Sequence, residues 1–261
     1  RPRHRLSVSA QCAGESLSSG RRCKLCGRRR PHTKDHCPPQ WITRCIIGDD
    51  ASLRLIKGDG DGPPIYRHSG ARHSNEVGIC EVCHQAFNKT VEDWGSGALR
   101  ALVAAEAATT QIEPSELPRL AAWCFKTAMI SDLTDPPGLM PESHRRWFAE
   151  RCMPPPSAVV RVGTVADPSA GWFLQRNRLT VSPIGELARH SIYVFTARAG
   201  AFFFQVIGPL GGSRPDLDST ALDLMEIWPE RDFSRGWSST ERPPLSDERF
   251  RSASMLSFAP F

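Results

Sequence analysis

Two cysteine pairs of the form C-x-x-C, Cys23–Cys26 and Cys80–Cys83, are separated by 53 residues between Cys26 and Cys80. A two-residue spacer lets both thiolates of a pair reach one cation, and two such pairs supply the four sulfurs of a tetrahedral zinc site. Four thiolates leave no open coordination position, so zinc held by Cys23, Cys26, Cys80 and Cys83 would be structural and would substitute for the core a small module lacks. Further donors lie between and beside the pairs: Asp35 next to His36, then Asn75, then His84 with Asn88. His84 and Asn88 stand at i and i+4, hence on one face of a helix. Asp35 and His36 are adjacent in an extended stretch, so their side chains point to opposite faces unless the strand kinks there. Asp35, His84 and Asn88 could hold one Mg²⁺ or a transition ion such as Mn²⁺ with water positions left open. His36 would then stay off the metal and act as a general base.

Charge points to a partner. Residues 1–34 carry ten Lys and Arg against Glu15 alone, a net of +9, whereas the remaining residues sum to −4 within a total of +5. A basic block beside a zinc knuckle fits a polyanion, most simply DNA, with Arg28, Arg29, Arg30 and Lys34 as the phosphate-contacting candidates. Nine cysteines in 261 residues are an odd number with five of them scattered singly, which suits a reducing, cytoplasmic compartment better than a disulfide scaffold. The first twenty residues have no apolar core of a secretory signal, and no apolar run is long enough to span a bilayer.

The elements that must position these residues follow from period and punctuation. Residues 1–20 read as a flexible basic arm. Residues 33–37 read as a short strand closed by Pro38 and Pro39, and 52–67 as a hairpin inserted in the metal module. The Asp59-Gly60-Asp61-Gly62 string lacks EF-hand spacing and reads as its turn. A second strand over 75–79 runs into Cys80, and a helix from His84 to about Asp93 is expected to stop near Gly95 and Gly97. Residues 99–107 read as another helix. Residues 117–131 are apolar almost all round, which places that helix in a core and starts a second folding unit near residue 96. An amphipathic helix over 142–152 turns Trp147 and Phe148 inward. Strands follow over 158–165, 171–181, 192–196 and 201–207, and the final stretch with Trp228, Trp237 and Phe250 wraps over the sheet.

In its order of residues the module resembles the HNH (ββα-metal) endonucleases: Asp-His, then Asn five residues before a C-x-x-C, then His directly after it. The resemblance covers about residues 20–95. It implies a treble-clef-like fold clamped by zinc, with Asp35 as first ligand of a catalytic divalent ion and His36 as the base that activates water. It further implies Asn75 as the residue that braces the hairpin and orients the base, and His84 as the helical ligand. Asn88 falls where some members place an additional ligand. The gap from His36 to Asn75 is longer than usual in the family. The expected architecture is therefore α+β: an arm (1–20), an HNH module with knuckles and inserted hairpin (21–95) and a C-terminal α+β domain (96–261). The expected activity is hydrolysis of phosphodiester bonds in DNA. Two alternatives stand beside it: a zinc-stabilised DNA-binding protein without catalysis, and a nuclease effector controlled by a C-terminal sensor domain.

Overall fold

The computed structural model describes residues 22–30, 32–47, 52–57, 65–70, 75–104, 110–134, 137–166, 172–181, 190–211, 224–229, 236–238 and 244–246, with the backbone alone for 47, 52–57, 65–70, 75, 76 and 181. The basic arm, the Asp59–Asp61 turn, His73 and Phe250 lie outside them.

Strand β1 (His32–Cys37) pairs antiparallel with the strand that ends on Cys80, and the chain between them forms helix α1 (Gln40–Ile47) and a separate hairpin, β2 (Ser52–Lys57) with β3 (Ile65–Gly70). Strand β4 (Asn75–Cys80) leads without a loop into helix α2 (Glu81–Phe87), a π-helical turn (Asn88–Glu92), α3 (Asp93–Ala98) and α4 (Arg100–Val103). The helix ends at Ala98, beside Gly97 where the stop was expected, but Gly95 does not interrupt it. Helical structure runs through it to Ala98, because Gly95 is a packing contact: a Cβ there would stand 2.3 Å from Trp123 Cδ1. The missing side chain makes room for an indole rather than ending a helix. Helix α1 was not foreseen; Trp41, Ile42 and Ile46 of the expected apolar cluster form its inward stripe.

A short β5 (Gln111–Ile112) and a 3₁₀ turn (Pro114–Glu116) introduce helix α5 (Leu117–Thr134), which is buried along most of its length. Helix α6 (Glu142–Arg151) precedes five strands, β6 (Val159–Thr164), β7 (Trp172–Val181), β8 (His190–Ala199), β9 (Phe202–Pro209) and β10 (Met225–Trp228), which form one antiparallel sheet in the order β10-β6-β9-β8-β7. Strand β11 (Trp237–Ser238) pairs with β5. The class is α+β.

Helix α5 packs on β1 and β4 on one side and on β6, β9 and β10 on the other. Trp123 shows why the two sides are not separable: its ring lies 5.9 Å from Trp41 and 5.7 Å from Phe204. Phe87 and Phe125 likewise both meet Phe148 of α6 at 5.2 Å. The hydrophobic core thus continues across residue 96, where the sequence suggested a second unit. Phe148 is fully buried as expected, but Trp147 is half-buried and carries the Arg151 guanidinium over its ring at 3.8 Å.

His144 fastens α6 to the sheet. Its Nδ1 lies 2.9 Å from Tyr193 Oη and its Nε2 3.2 Å from Ser157 Oγ, and burial pushes its pKa below the usual imidazole value. The folded state therefore prefers the neutral ring and the unfolded chain takes up the proton more readily. This contribution to stability is complete above the ordinary imidazole pKa of ~6.5 and declines as pH falls below it. Urea unfolding at about pH 7.5 and about pH 5.5 should show the wild type losing more stability on acidification than His144→Gln. Equal losses would mean that the ring accepts a proton in place.

Candidate metal centre

The first knuckle is built by backbone. Gly27 N–H donates to the Cys23 carbonyl at 2.9 Å, Cys23 N–H donates to the Arg28 carbonyl at 2.9 Å, and Gly27 turns the chain at φ +73°, a conformation open to glycine. The second knuckle is the β4–α2 junction, where Cys80 closes the strand and Cys83 sits in the first helical turn. Pairing of β1 with β4 brings the two knuckles together although 53 residues separate them in sequence. All four sulfurs lie within 4.8 Å of one another, and Cys26 Sγ is 3.7 Å from Cys80 Sγ. A tetrahedral zinc with Zn–S of ~2.3 Å requires S···S edges of about 3.8 Å, so the spacing fits zinc.

The electrostatics of the thiols agree with that fit. Cys23 is drawn down to about 4, chiefly by a hydrogen bond from Cys83, with further N–H donation including Leu25 and Cys80, both at 3.4 Å. The same hydrogen bond, with burial, pushes Cys83 upward, and burial raises Cys80 to about 11. One thiolate forms readily and its neighbours then resist, so a dication is what would let all four ionise. Among the described residues, no other group of three or more His, Cys, Asp or Glu side chains gathers in this way.

Asp35, His36, His84 and Asn88 lie on the same scaffold. Strand β1 is regular, so Asp35 and Cys37 turn inward while Lys34 and His36 turn outward. Asp35 is 5% exposed. Its Oδ1 accepts from the His36 N–H at 2.8 Å and from Lys126 Nζ at 3.1 Å, while its Oδ2 is buried without a hydrogen-bond partner. Lys126 also donates to Glu92 Oε1 at 2.8 Å, and Trp41 Nε1 donates to Glu92 Oε2 at 3.1 Å. Burial by itself would lower the Lys126 pKa, but the charges of Glu92 and Asp35 overcome it and hold the ammonium up to about 12. Neither Lys126 nor Glu92 was singled out in the sequence. The available signal was Lys126 in the middle of a largely apolar stretch of helix α5, since a buried charge requires a partner.

His36, half-buried, has its Nε2 2.9 Å from Gln40 Nε2. His84 is half-buried on α2, and Asn88 Nδ2 stands 3.4 Å from each of its ring nitrogens, so the expected i,i+4 pair does share a helix face. For Asn75 only the backbone is described: it pairs with Cys37, one step from the His36–Glu76 pair. Of these donors, Asp35 Oδ2 is the one side-chain atom buried without a hydrogen-bond partner. The Lys126 ammonium on Oδ1 opposes a second cation there. Arg28, Arg29 and Lys34 are exposed and Arg30 is half-buried. Gly78, across from Lys34 on β4, is exposed as well, which leaves bare backbone on the outer face of the pair.

Among the described residues, no helix is long and apolar enough to cross a membrane. No family model, curated protein or solved structure matches the chain.

Proposed function

We propose that residues 21–95 form an HNH-type (ββα-metal) endonuclease module, treble-clef-like and clamped by zinc, that hydrolyses phosphodiester bonds in DNA. The observation that carries this reading is the order strand, strand, helix through β1, β4 and α2. His36 lies on the first strand, Asn75 opens the second, His84 lies on the helix, and the four cysteines tie the ends. His36 turns to the outer face beside Lys34, where a DNA strand drawn by Arg28, Arg29 and Arg30 would lie. In that position its imidazole takes the proton of the attacking water. A bound Mg²⁺ or Mn²⁺ supplies charge stabilisation at the leaving oxygen, with Asp35, His84 and Asn88 the residues that would hold it.

Incubation with plasmid DNA in Mg²⁺, Mn²⁺ or EDTA tests the reading directly. Cleavage should require the divalent ion, and His36→Ala should lose on the order of 10²–10⁴ in rate while still binding DNA, the usual worth of positioned proton transfer. Undiminished cleavage by His36→Ala would end it.

A second reading, a zinc-stabilised DNA-binding protein without catalysis, is favoured by one observation: Asp35 is already neutralised by Lys126 at 3.1 Å. It expects DNA binding without cleavage in any divalent ion.

A further inference from the structure

A cleft of about 410 Å³ opens where the Cys23–Gly27 knuckle meets the corner between α5 and α6. Four cations line it, Arg22 and Lys24 from the knuckle and Arg145 and Arg146 from α6, against two carboxylates, Asp132 and Glu142. Both carboxylates are already engaged. Asp132 is fully buried and accepts from the Leu139 and Met140 N–H groups at 2.7 and 2.9 Å, with Arg176 at 3.4 Å and Arg145 at 3.9 Å beside it. Glu142 pairs with Arg146 at 2.6 Å.

Two of the cations are held loosely. Arg22 reaches the Gly27 carbonyl and Lys24 the Leu133 carbonyl, each at 3.5 Å, the outer limit of a hydrogen bond. Arg145 donates through Nη1 to the Met140 carbonyl at 2.6 Å, but its Nε–H is buried with no partner. An N–H donor buried beside a cavity without an acceptor costs stability unless something enters to accept from it. The lining carries two positive charges in excess, several spare N–H donors and room for a tetrahedral oxyanion.

We infer that this cleft is a phosphate-binding site that takes a backbone phosphate of a nucleic-acid strand. Arginine forks suit phosphate oxygens, and Lys24 adds a point charge. Two of the lining cations stand on the first knuckle and two on α6. A strand held here would therefore touch both the module and the rest of the chain. The choice of nucleic acid as source rests on the proposed function; the phosphate chemistry of the cleft does not.

The test uses the full chain with zinc bound. Duplex DNA binding is followed by anisotropy across a salt series, and pyrophosphate is titrated by thermal shift and as a competitor. The variants are Lys24→Glu with Arg146→Glu, both at exposed positions, and the milder Lys24→Gln with Arg146→Gln should the first pair fail to fold. Pyrophosphate should raise the wild-type Tm and displace DNA, and the variants should lose the shift. Their DNA affinity should fall by tenfold or more, with a salt slope shallower by up to ~0.9 per lost contact. A pyrophosphate shift in a protein that binds no DNA upholds the cleft and removes the nuclease reading. No pyrophosphate shift, with unchanged DNA affinity and slope in the variants, overturns the inference.

Discussion

Cys80→Ser protein purified without added metal should contain no tightly held zinc, and residues 22–95 should lose their cooperative structure. The wild type should hold about one zinc per chain. Cys80 is the hinge of the arrangement: its sulfur is 3.7 Å from Cys26 Sγ, so a hydroxyl there removes one of the four ligands. Structural zinc contributes on the order of 10–16 kcal/mol in finger peptides, as much as the whole net stability of ~5–15 kcal/mol of an ordinary domain. The loss should spread, because Leu25, Val77 and Ile79 of the module lie in the same core as Trp123 and Phe125 of α5. Cys124→Ser is the control. That thiol is fully buried in α5 and belongs to no metal cluster, so the variant should keep its zinc. Elemental analysis with thermal unfolding decides; zinc retained at full occupancy by Cys80→Ser would remove the four-sulfur assignment.

What could be read from the chain alone followed from local geometry. A C-x-x-C pair carries its own turn, and Gly27 at φ +73° completes it, so both knuckles were legible. The strands β1 and β4 and the helix α5 were legible too, because period and all-round apolarity are properties of a short segment. What the sequence did not show depended on contacts between distant segments. Gly95 looks like a helix stop in isolation and is a contact with Trp123, 28 positions later. The division near residue 96 was read from the all-round apolarity of 117–131, and the packing of Phe87, Phe125 and Phe148 across it lies outside what that segment shows. The contact of Asp35 with Lys126 was out of reach too, because 91 positions separate the two residues in sequence. No spacing rule connects those two residues. Only the requirement that a buried ammonium find carboxylates says that Lys126 must have partners, and it does not say which.

Lys126→Met should accordingly be among the most destabilising single changes in the chain. The side chain is 1% exposed, and its ammonium sits between Asp35 Oδ1 at 3.1 Å and Glu92 Oε1 at 2.8 Å. Because the folded pKa is raised from 10.5 to about 12, its contribution is complete below about pH 10.5 and is lost only as pH climbs through 12. At neutral pH the whole effect is therefore present. Methionine matches the stem but leaves two nearly buried carboxylates without a counter-charge, and breaking a buried pair in this way costs about 3–5 kcal/mol. Urea unfolding should report a fall of roughly 10²–10⁴ in the folding constant, at ~1.4 kcal/mol per decade. Adding Asp35→Asn and Glu92→Gln to Lys126→Met should recover much of the loss, since no unpaired charge remains. The same variant separates the two functional readings. With the ammonium gone, both Asp35 oxygens are open to a cation. Added Mn²⁺ should restore part of the stability if Asp35 belongs to a catalytic ion site, and none if the carboxylate only anchors α5 to β1. A Lys126→Met protein within ~1 kcal/mol of wild type would show that the ammonium does not hold β1, α1 and α5 together.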